Sequence, residues 1–138
     1  MYQSRDEIRR VYADVWRKLQ QRQVLEPMQA LIADVIEAHP EYHALLDADD
    51  DIKQQEFTPE GGRTNPFLHM GMHIALREQA GGDRPAGLRD IYRRLVANLG
   101  QHEAEHAMME CLGESLWSAQ RSGQAPDEQA YLDCLKKL

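Results

Sequence analysis

The stretch NPFLHMGMHIALREQAGG, residues 65–82, decides the fold of this chain. It starts with asparagine followed by proline, a pair that begins helices because the asparagine side chain caps the first amide groups and proline fits the first helical position. It ends with two glycines, which interrupt a helix. Between them, apolar side chains occur on nearly every side of the predicted helix. We therefore expect a central helix whose two histidines, His69 and His73, are buried.

Helical periodicity continues on the N-terminal side of this segment. Apolar residues recur three and four positions apart over residues 5–22 and again from Pro27 to His39, and a short helix follows from Pro40. Residues 47–64 break the pattern with a run of aspartates, a proline and two glycines, so they predict one long loop. A loop of this length is typical of a functional or mobile segment.

The C-terminal half carries an apolar seam whose steps alternate between three and four residues from Leu88 to Leu116, which is a heptad pattern. Gly100 interrupts this seam, and because no loop separates its two sides we expect a bend there without a reversal of the chain. A final helix opens near Pro126. The sequence has no strand-like alternation. The predicted fold is therefore all-α: a single-domain helical bundle of five to six helices over residues 1–138.

Length and composition are those of a soluble globular chain, with 138 residues of which 42% are hydrophobic and 28% charged. The formal net charge of −7 argues against a general nucleic-acid binder, which needs a basic face for the phosphates. No apolar run is long enough to cross a bilayer and the N-terminus carries no export signal, so we expect a cytoplasmic protein without a membrane partner. A homodimer or another protein partner stays open.

The chain has two cysteines, Cys111 and Cys134. They lie far apart in the sequence and outside any CxxC motif, a pattern that indicates neither a disulfide framework nor a zinc ribbon. Cys111 points away from the side of the helix that carries His102, and we expect it to be a small core residue.

The six histidines all fall into pairs with the spacing HxxxH: His39/His43, His69/His73 and His102/His106. Random placement would give about a quarter of one such pair. On a helix this spacing points both imidazoles to the same side. Two buried rings within one helical turn compete for few hydrogen-bond partners, whereas a shared cation satisfies both. The pairs therefore indicate a metal site.

The C-terminal pair lies on the seam, at positions where leucine would otherwise pack, and acidic residues flank it. Glu103-x-x-His106 is the step that carboxylate-bridged metal sites use in helical bundles. If the two central helices face each other, their imidazoles converge with one or two carboxylates, a mixed set that suits iron, manganese or zinc. We therefore predict a transition-metal site whose candidate ligands are His69, His73, His102, His106, Glu103 and Glu110.

Several alternatives stay open. His39 and His43 could join the site, or could orient its ligands from outside. Arg77 lies near the histidine face and could bind a carboxylate or an anionic substrate, but we expect it to form an ion pair with a helix neighbour. In the second interpretation no metal is bound. The rings hydrogen-bond to Glu103, Glu110, Asn65 or buried backbone and form a polar layer in a structural or protein-interaction module. Whether the protein is an enzyme, and on which substrate, the sequence leaves open.

Most of the chain resembles a bacterial family known as a domain of unknown function, the one numbered 1841. The segments that carry the likeness are NPFLHMGMHIALREQ, GGDRPAGLRDIY, HEAEHAMMECLGESLW, AQRSGQAPDEQAYLDCL and HPEYHALL. That family has no established activity, so the resemblance implies a helical bacterial protein and no more. The spacing is also loosely similar to haemerythrin-like and ferritin-like carriers of non-haem iron, but here the motif order differs and the second Glu-x-x-His is absent.

Overall fold

A computed structural model describes residues 5–47 and 65–138. In these residues it has seven α-helices, one 3-10 helix and no strand, and 81% of them are helical. The helices are α1 (Arg5–Gln20), α2 (Pro27–Glu37), the 3-10 helix (Pro40–Tyr42), α3 (His43–Asp47), α4 (Pro66–Gly82), α5 (Leu88–Leu99), α6 (Gln101–Ser122) and α7 (Glu128–Lys136). The all-α class is confirmed, with slightly more helices than expected. The predicted long loop over residues 47–64 lies outside the described residues except for Asp47, which is the last residue of α3.

The helix boundaries follow the capping residues. The side chain of Asn65 accepts hydrogen bonds from the backbone amides of Phe67 and Leu68, at 3.0 and 3.3 Å, and so caps α4. Asp127 caps α7 in the same way through the amide of Ala130. Gly123, in the left-handed conformation at φ 71°, ends α6. No helix among the described residues combines the length and the apolarity needed to cross a bilayer.

The chain groups into two compact units, residues 1–71 and 72–138, and α4 contributes residues to both. In the first unit α1 packs against α2 and α3. Their apolar faces supply most of the buried side chains, which are Tyr12, Val15, Ile32, Ala33, Val35, Ile36, Leu46, Phe67 and Met70. This is the amphipathic pattern that the heptad-like spacing of α1 and α2 predicts.

The second unit reverses direction at Gly100, and the bend predicted there is therefore wrong. In one continuous helix Tyr92 and Glu105 would be about 20 Å apart along the axis. The Tyr92 hydroxyl instead lies 2.6 Å from a carboxylate oxygen of Glu105. Gly100 has φ 84° and ψ 160°, a conformation that side chains with a Cβ rarely adopt, and it alone joins α5 to α6. A single glycine thus connects α5 to α6, although a reversal of the chain was expected to need a loop.

The reversal changes which face of α6 is buried. The predicted seam ran through His102, His106 and Leu116, but Leu116 is exposed and both rings are only half-buried. The buried face of α6 consists of Ala104, Glu105, Met108, Met109, Cys111 and Leu112. All of these except Glu105 pack with the apolar faces of α4, α5 and α7 into the core of the second unit.

The two cysteines form a disulfide, which the sequence spacing did not indicate. The sulfur atoms of Cys111 and Cys134 are bonded at 2.02 Å. The chain turns back after Gly123, so α7 packs against α6 and brings Cys134 beside Cys111 despite a sequence separation of 23 residues. Cys111 is a core residue, as expected, but its thiol is covalently bonded.

Candidate metal centre

His73 is buried in the second unit and held by a buried carboxylate. Its Nδ1 lies 2.7 Å from Oε1 of Glu105, and neither side chain has exposed surface. An ionised carboxylate can only accept a hydrogen bond, so Nδ1 is the donor here, and in the neutral ring the lone pair is on Nε2. A carboxylate that orients a histidine in this way is the usual outer partner of a metal-binding imidazole.

Glu105 accepts hydrogen bonds from three side chains. Besides His73, the Arg77 guanidinium donates from Nε to Oε2 at 2.9 Å and from Nη2 to Oε1 at 3.2 Å, and the Tyr92 hydroxyl donates to Oε2 at 2.6 Å. Burial by itself would raise the pKa of this carboxyl. The hydrogen bonds from His73, Arg77 and Tyr92, together with the Arg77 charge, outweigh burial and hold its pKa below the ordinary value. The group is therefore ionised at neutral pH.

Tyr92 links this network to the surface of the unit. Its hydroxyl accepts a hydrogen bond from the exposed side chain of Gln101 at 3.1 Å while donating to Glu105. Burial is the main cause that raises the pKa of Tyr92 to about 12, and the bond to Glu105 adds to it. Tyr92 is therefore a neutral donor at any physiological pH and helps to fix the carboxylate.

Three imidazoles meet around this point. His102 and His106 lie one turn apart on α6, and their ring centroids are 4.1 Å apart. The His73 ring centroid is 5.2 Å from that of His102 and 5.1 Å from that of His106. A ring nitrogen of His73 also lies within 4.8 Å of one of His106. Among the predicted ligands, the second unit therefore brings three histidines from two helices together.

The electrostatics favour the neutral form of His106. Burial and then the charges of protonated His102 and His73 lower its pKa, while Glu103 and Glu105 act in the opposite direction. A neutral imidazole has the lone pair that a metal ligand requires. His106 is thus prepared to act as a ligand at neutral pH.

The two predicted carboxylates differ in position. Glu103 offers an oxygen within 4.8 Å of nitrogens of both His102 and His106, so the Glu-x-x-His step does place its members together. Glu110 is exposed one turn beyond His106, and it is not part of any such group among the described residues.

His69 lies in the first unit, on the turn of α4 that precedes His73. Its ring meets that of His39 edge-on, with centroids 5.1 Å apart, and a nitrogen of each ring lies within 4.8 Å of the other. Nδ1 of His39 donates to the carbonyl of Val35 at 2.7 Å, so its Nε2 carries the lone pair. His39 thus contacts His69, one of the predicted ligands.

His43 lies elsewhere in the first unit and does not extend this pair. Its Nε2 donates to the carbonyl of Ile36 at 2.9 Å, and its ring stacks on Trp16 with centroids 4.3 Å apart. The Trp16 indole in turn donates to Asp47 at 2.6 Å. His39 and His43 therefore have different partners despite their HxxxH spacing, because Pro40 places them on different helical segments.

Glu105 is the central residue that sequence reasoning missed. The heptad seam drawn through Gly100 placed Glu105 off the buried face, and Arg77 was expected to pair with a helix neighbour. Arg77 pairs instead with Glu105 on α6. A signal was present: Glu105 stands three and seven residues before Met108 and Leu112, on an apolar stripe where an unpaired glutamate would be costly.

A family model described as Domain of unknown function (DUF1841) matches residues 4–137, nearly the whole chain. No curated protein and no solved structure gives a significant match. The matched range includes every histidine and acidic residue of the site described above. The chain therefore belongs to the DUF1841 family, as its sequence segments predicted.

Proposed function

We propose that the protein binds a divalent transition metal through His73, His102 and His106, with Glu103 as an additional oxygen ligand. The observation that supports this best is the convergence of three rings, with no centroid separation above 5.2 Å, beside a buried carboxylate that already orients one of them. A metal ion would use the lone pair on Nε2 of His73, opposite the nitrogen that Glu105 holds.

Charge supports the same proposal. Burial and the proximity of His102 and His73 lower the pKa of His106, so this ring favours its neutral form at physiological pH. Each neutral imidazole has one ring nitrogen with a lone pair, and a divalent cation can bind several such nitrogens at once. Arg77 does not compete with the cation, because its charge is already paired with Glu105.

The donor set favours some metals over others. Three imidazole nitrogens and one carboxylate oxygen suit zinc or ferrous iron, whereas manganese prefers a site richer in oxygen. His69 remains a proposed fourth imidazole because it lies one turn before His73 on the same helix. Glu110 remains a proposed alternative oxygen ligand, supported by its spacing from His106 alone.

Titration of metal-free, untagged protein with zinc, ferrous iron and manganese tests the proposal. We expect stoichiometric binding by calorimetry with zinc or iron, and its loss in a His102→Gln/His106→Gln double variant. These two side chains are only half-buried, so the variant should remain folded, which circular dichroism verifies. His43→Gln is the matched control and should bind as the parent does. Absence of binding to all three metals contradicts the proposal.

A metal-free interaction module is the second candidate. Both oxygens of Glu105 have hydrogen-bond donors from the protein itself, so this carboxylate needs no cation. In addition Trp117 on α6 is 56% exposed, and the guanidinium of Arg121 lies over its ring at 4.3 Å. Exposed tryptophan is typical of contact surfaces. Protein that stays folded and unchanged with chelator, and binds no metal, would favour this candidate.

We also keep as proposals the cytoplasmic location and the bacterial source that sequence and resemblance predict. In a reducing cytoplasm an intrachain disulfide such as Cys111–Cys134 would be transient, since structural disulfides are rare there. Fractionation of cells that produce the protein, followed by trapping of thiols with an alkylating reagent, tests both its location and its redox state.

A further inference from the structure

The disulfide of the second unit opens onto a cleft between α6 and α7. The cleft has a volume of about 420 Å³ and both cysteines line it. A water molecule occupies about 30 Å³ of liquid, so the cleft has room for roughly a dozen waters or for one small organic thiol. The rest of its lining combines apolar surface, to which Ala130 and Tyr131 contribute, with polar groups from Ser115, Ser118 and the exposed Lys137.

The two cysteines are not equally exposed. Cys111 is 2% exposed and packs among the core residues of α6, whereas Cys134 is only partly buried on the last helix. A thiolate must approach a disulfide sulfur directly, so access decides which sulfur is attacked. Attack is therefore directed to Cys134, with Cys111 as the leaving group.

Charge around the cleft selects the attacking thiol. Glu114, Asp127 and Asp133 contribute three carboxylates, against the single ammonium group of Lys137. The resulting negative field repels thiols that carry an additional anionic group. A thiol with an ammonium group is repelled less than an anionic thiol, because its thiolate form has no net charge.

We propose that this cleft is a site of thiol–disulfide exchange, attacked at Cys134 and selective for small cationic aminothiols over anionic thiols. The proposal does not depend on metal binding.

The exchange balances with an aminothiol as the reductant. Its thiolate bonds to Sγ of Cys134, the Cys111–Cys134 bond breaks, and the electron pair leaves on Sγ of Cys111, which takes a proton from water. A second aminothiol then displaces Cys134 from the mixed disulfide. Two aminothiols are oxidised to one disulfide, and the protein disulfide is reduced to two thiols.

The test compares cysteamine with 2-mercaptoethanesulfonate at equal thiolate concentration. Each rate is normalised to the rate of the same thiol with a small neutral disulfide, which removes differences in intrinsic reactivity. At about 0.01 M salt we expect cysteamine to be favoured roughly three- to tenfold, and at about 1 M salt we expect the preference to shrink, because screening shortens the range of the field. Peptide mapping after acid quenching should place the first adduct on Cys134.

A double variant tests the charge argument. Glu114→Gln/Asp133→Asn should abolish most of the preference, and both side chains are exposed, so the fold should tolerate the change. Asp34→Asn/Glu37→Gln is the matched control, since it removes the same two charges from exposed positions of α2 and should keep the preference. Equal normalised rates for the two thiols at low salt, a first adduct on Cys111, or no reduction by either thiol would overturn the proposal.

Discussion

His73 and Glu105 are 32 residues apart in the chain, yet they form a 2.7 Å hydrogen bond in which neither side chain reaches the surface. An ionised carboxylate in such a place is tolerated only when its donors compensate for the water it has lost. His73, Arg77 and Tyr92 supply those donors. This one carboxylate therefore connects α4, α5 and α6 within the second unit and fixes the orientation of the imidazole on which the proposed metal site depends.

Replacement of Glu105 by glutamine should destabilise the protein strongly. The variant removes the charge that Arg77 faces and leaves one amide group where donors converge from three side chains. Removing one partner of a buried ion pair costs about 3 kcal/mol or more. Urea unfolding of the metal-free protein at neutral pH measures the change. Glu110→Gln, on the exposed face of the same helix, should shift the free energy of unfolding by less than about 0.5 kcal/mol. A loss below about 1 kcal/mol for Glu105→Gln would contradict the role given to this network.

The same variant should also weaken metal binding. Loss of the carboxylate that orients a ligating histidine lowers metal affinity by about 10- to 100-fold. Calorimetric titration with zinc, under conditions where circular dichroism verifies that the variant is folded, measures this change. Glu114→Gln, an exposed position of α6 that is not among the proposed ligands, is the control that distinguishes a specific effect from a general loss of negative charge on this helix. If Glu105→Gln and the parent protein have equal zinc affinities, Glu105 does not contribute to the metal site.

Acid should destabilise the metal-free protein in two stages. The pKa of His106 in the fold lies below its ordinary value of 6.5, so the unfolded chain takes up a proton near pH 6.5 that the folded chain does not, and stability falls as pH falls through that region. The pKa of Glu105 is likewise below 4.5, and a second loss follows as pH falls below that value.

Urea unfolding in chelator, at several values from about pH 7.5 down to about pH 3, measures both stages. His106→Gln should remove much of the first stage and leave the second. A parent protein whose stability is constant between about pH 7.5 and 5.5 would contradict the first assignment.

Loss of the disulfide should destabilise the second unit. Cys111 and Cys134 close a loop with a sequence separation of 23 residues, and for that length the chain-entropy account predicts a loss of about 3 kcal/mol. The Cys111→Ser/Cys134→Ser variant, compared with the oxidised parent in denaturant, tests this value. The variant should have the same stability as the chemically reduced parent. A variant as stable as the oxidised parent would show that the bond does not constrain the unfolded chain.

The helices themselves were predictable because their signals are local. Asn65 and Asp127 cap α4 and α7 through backbone amides two or three residues away, and Gly123 ends α6 in the left-handed conformation. Each of these signals acts within one turn of helix, so a single sequence contains the whole interaction.

The turn at Gly100 and the partners that depend on it were not predictable from spacing. The heptad steps continue through Gly100 without a slip, and only the backbone conformation at φ 84° reverses the chain. That reversal moves Glu105 onto the buried face and gives it Tyr92, 13 residues earlier, as a partner. The disulfide was missed for a related reason, because Cys134 reaches Cys111 only after the chain turns back again. The HxxxH spacing of His102 and His106 does place their rings side by side on α6. The same spacing did not predict the partner of His43, which bonds to the carbonyl of Ile36 within the first unit.

Long-range ¹H–¹⁵N NMR spectra of the histidine rings test the metal proposal most directly, because they report each ring nitrogen separately. On addition of one equivalent of zinc to metal-free protein, we predict a large shift of Nε2 of His73 while its Nδ1 keeps the hydrogen bonded to Glu105. One nitrogen of His102 and one of His106 should shift with it, and the ring of His43 should not. Spectra in which the rings of His73, His102 and His106 are all unchanged by zinc, and by ferrous iron in a parallel experiment, would contradict the account.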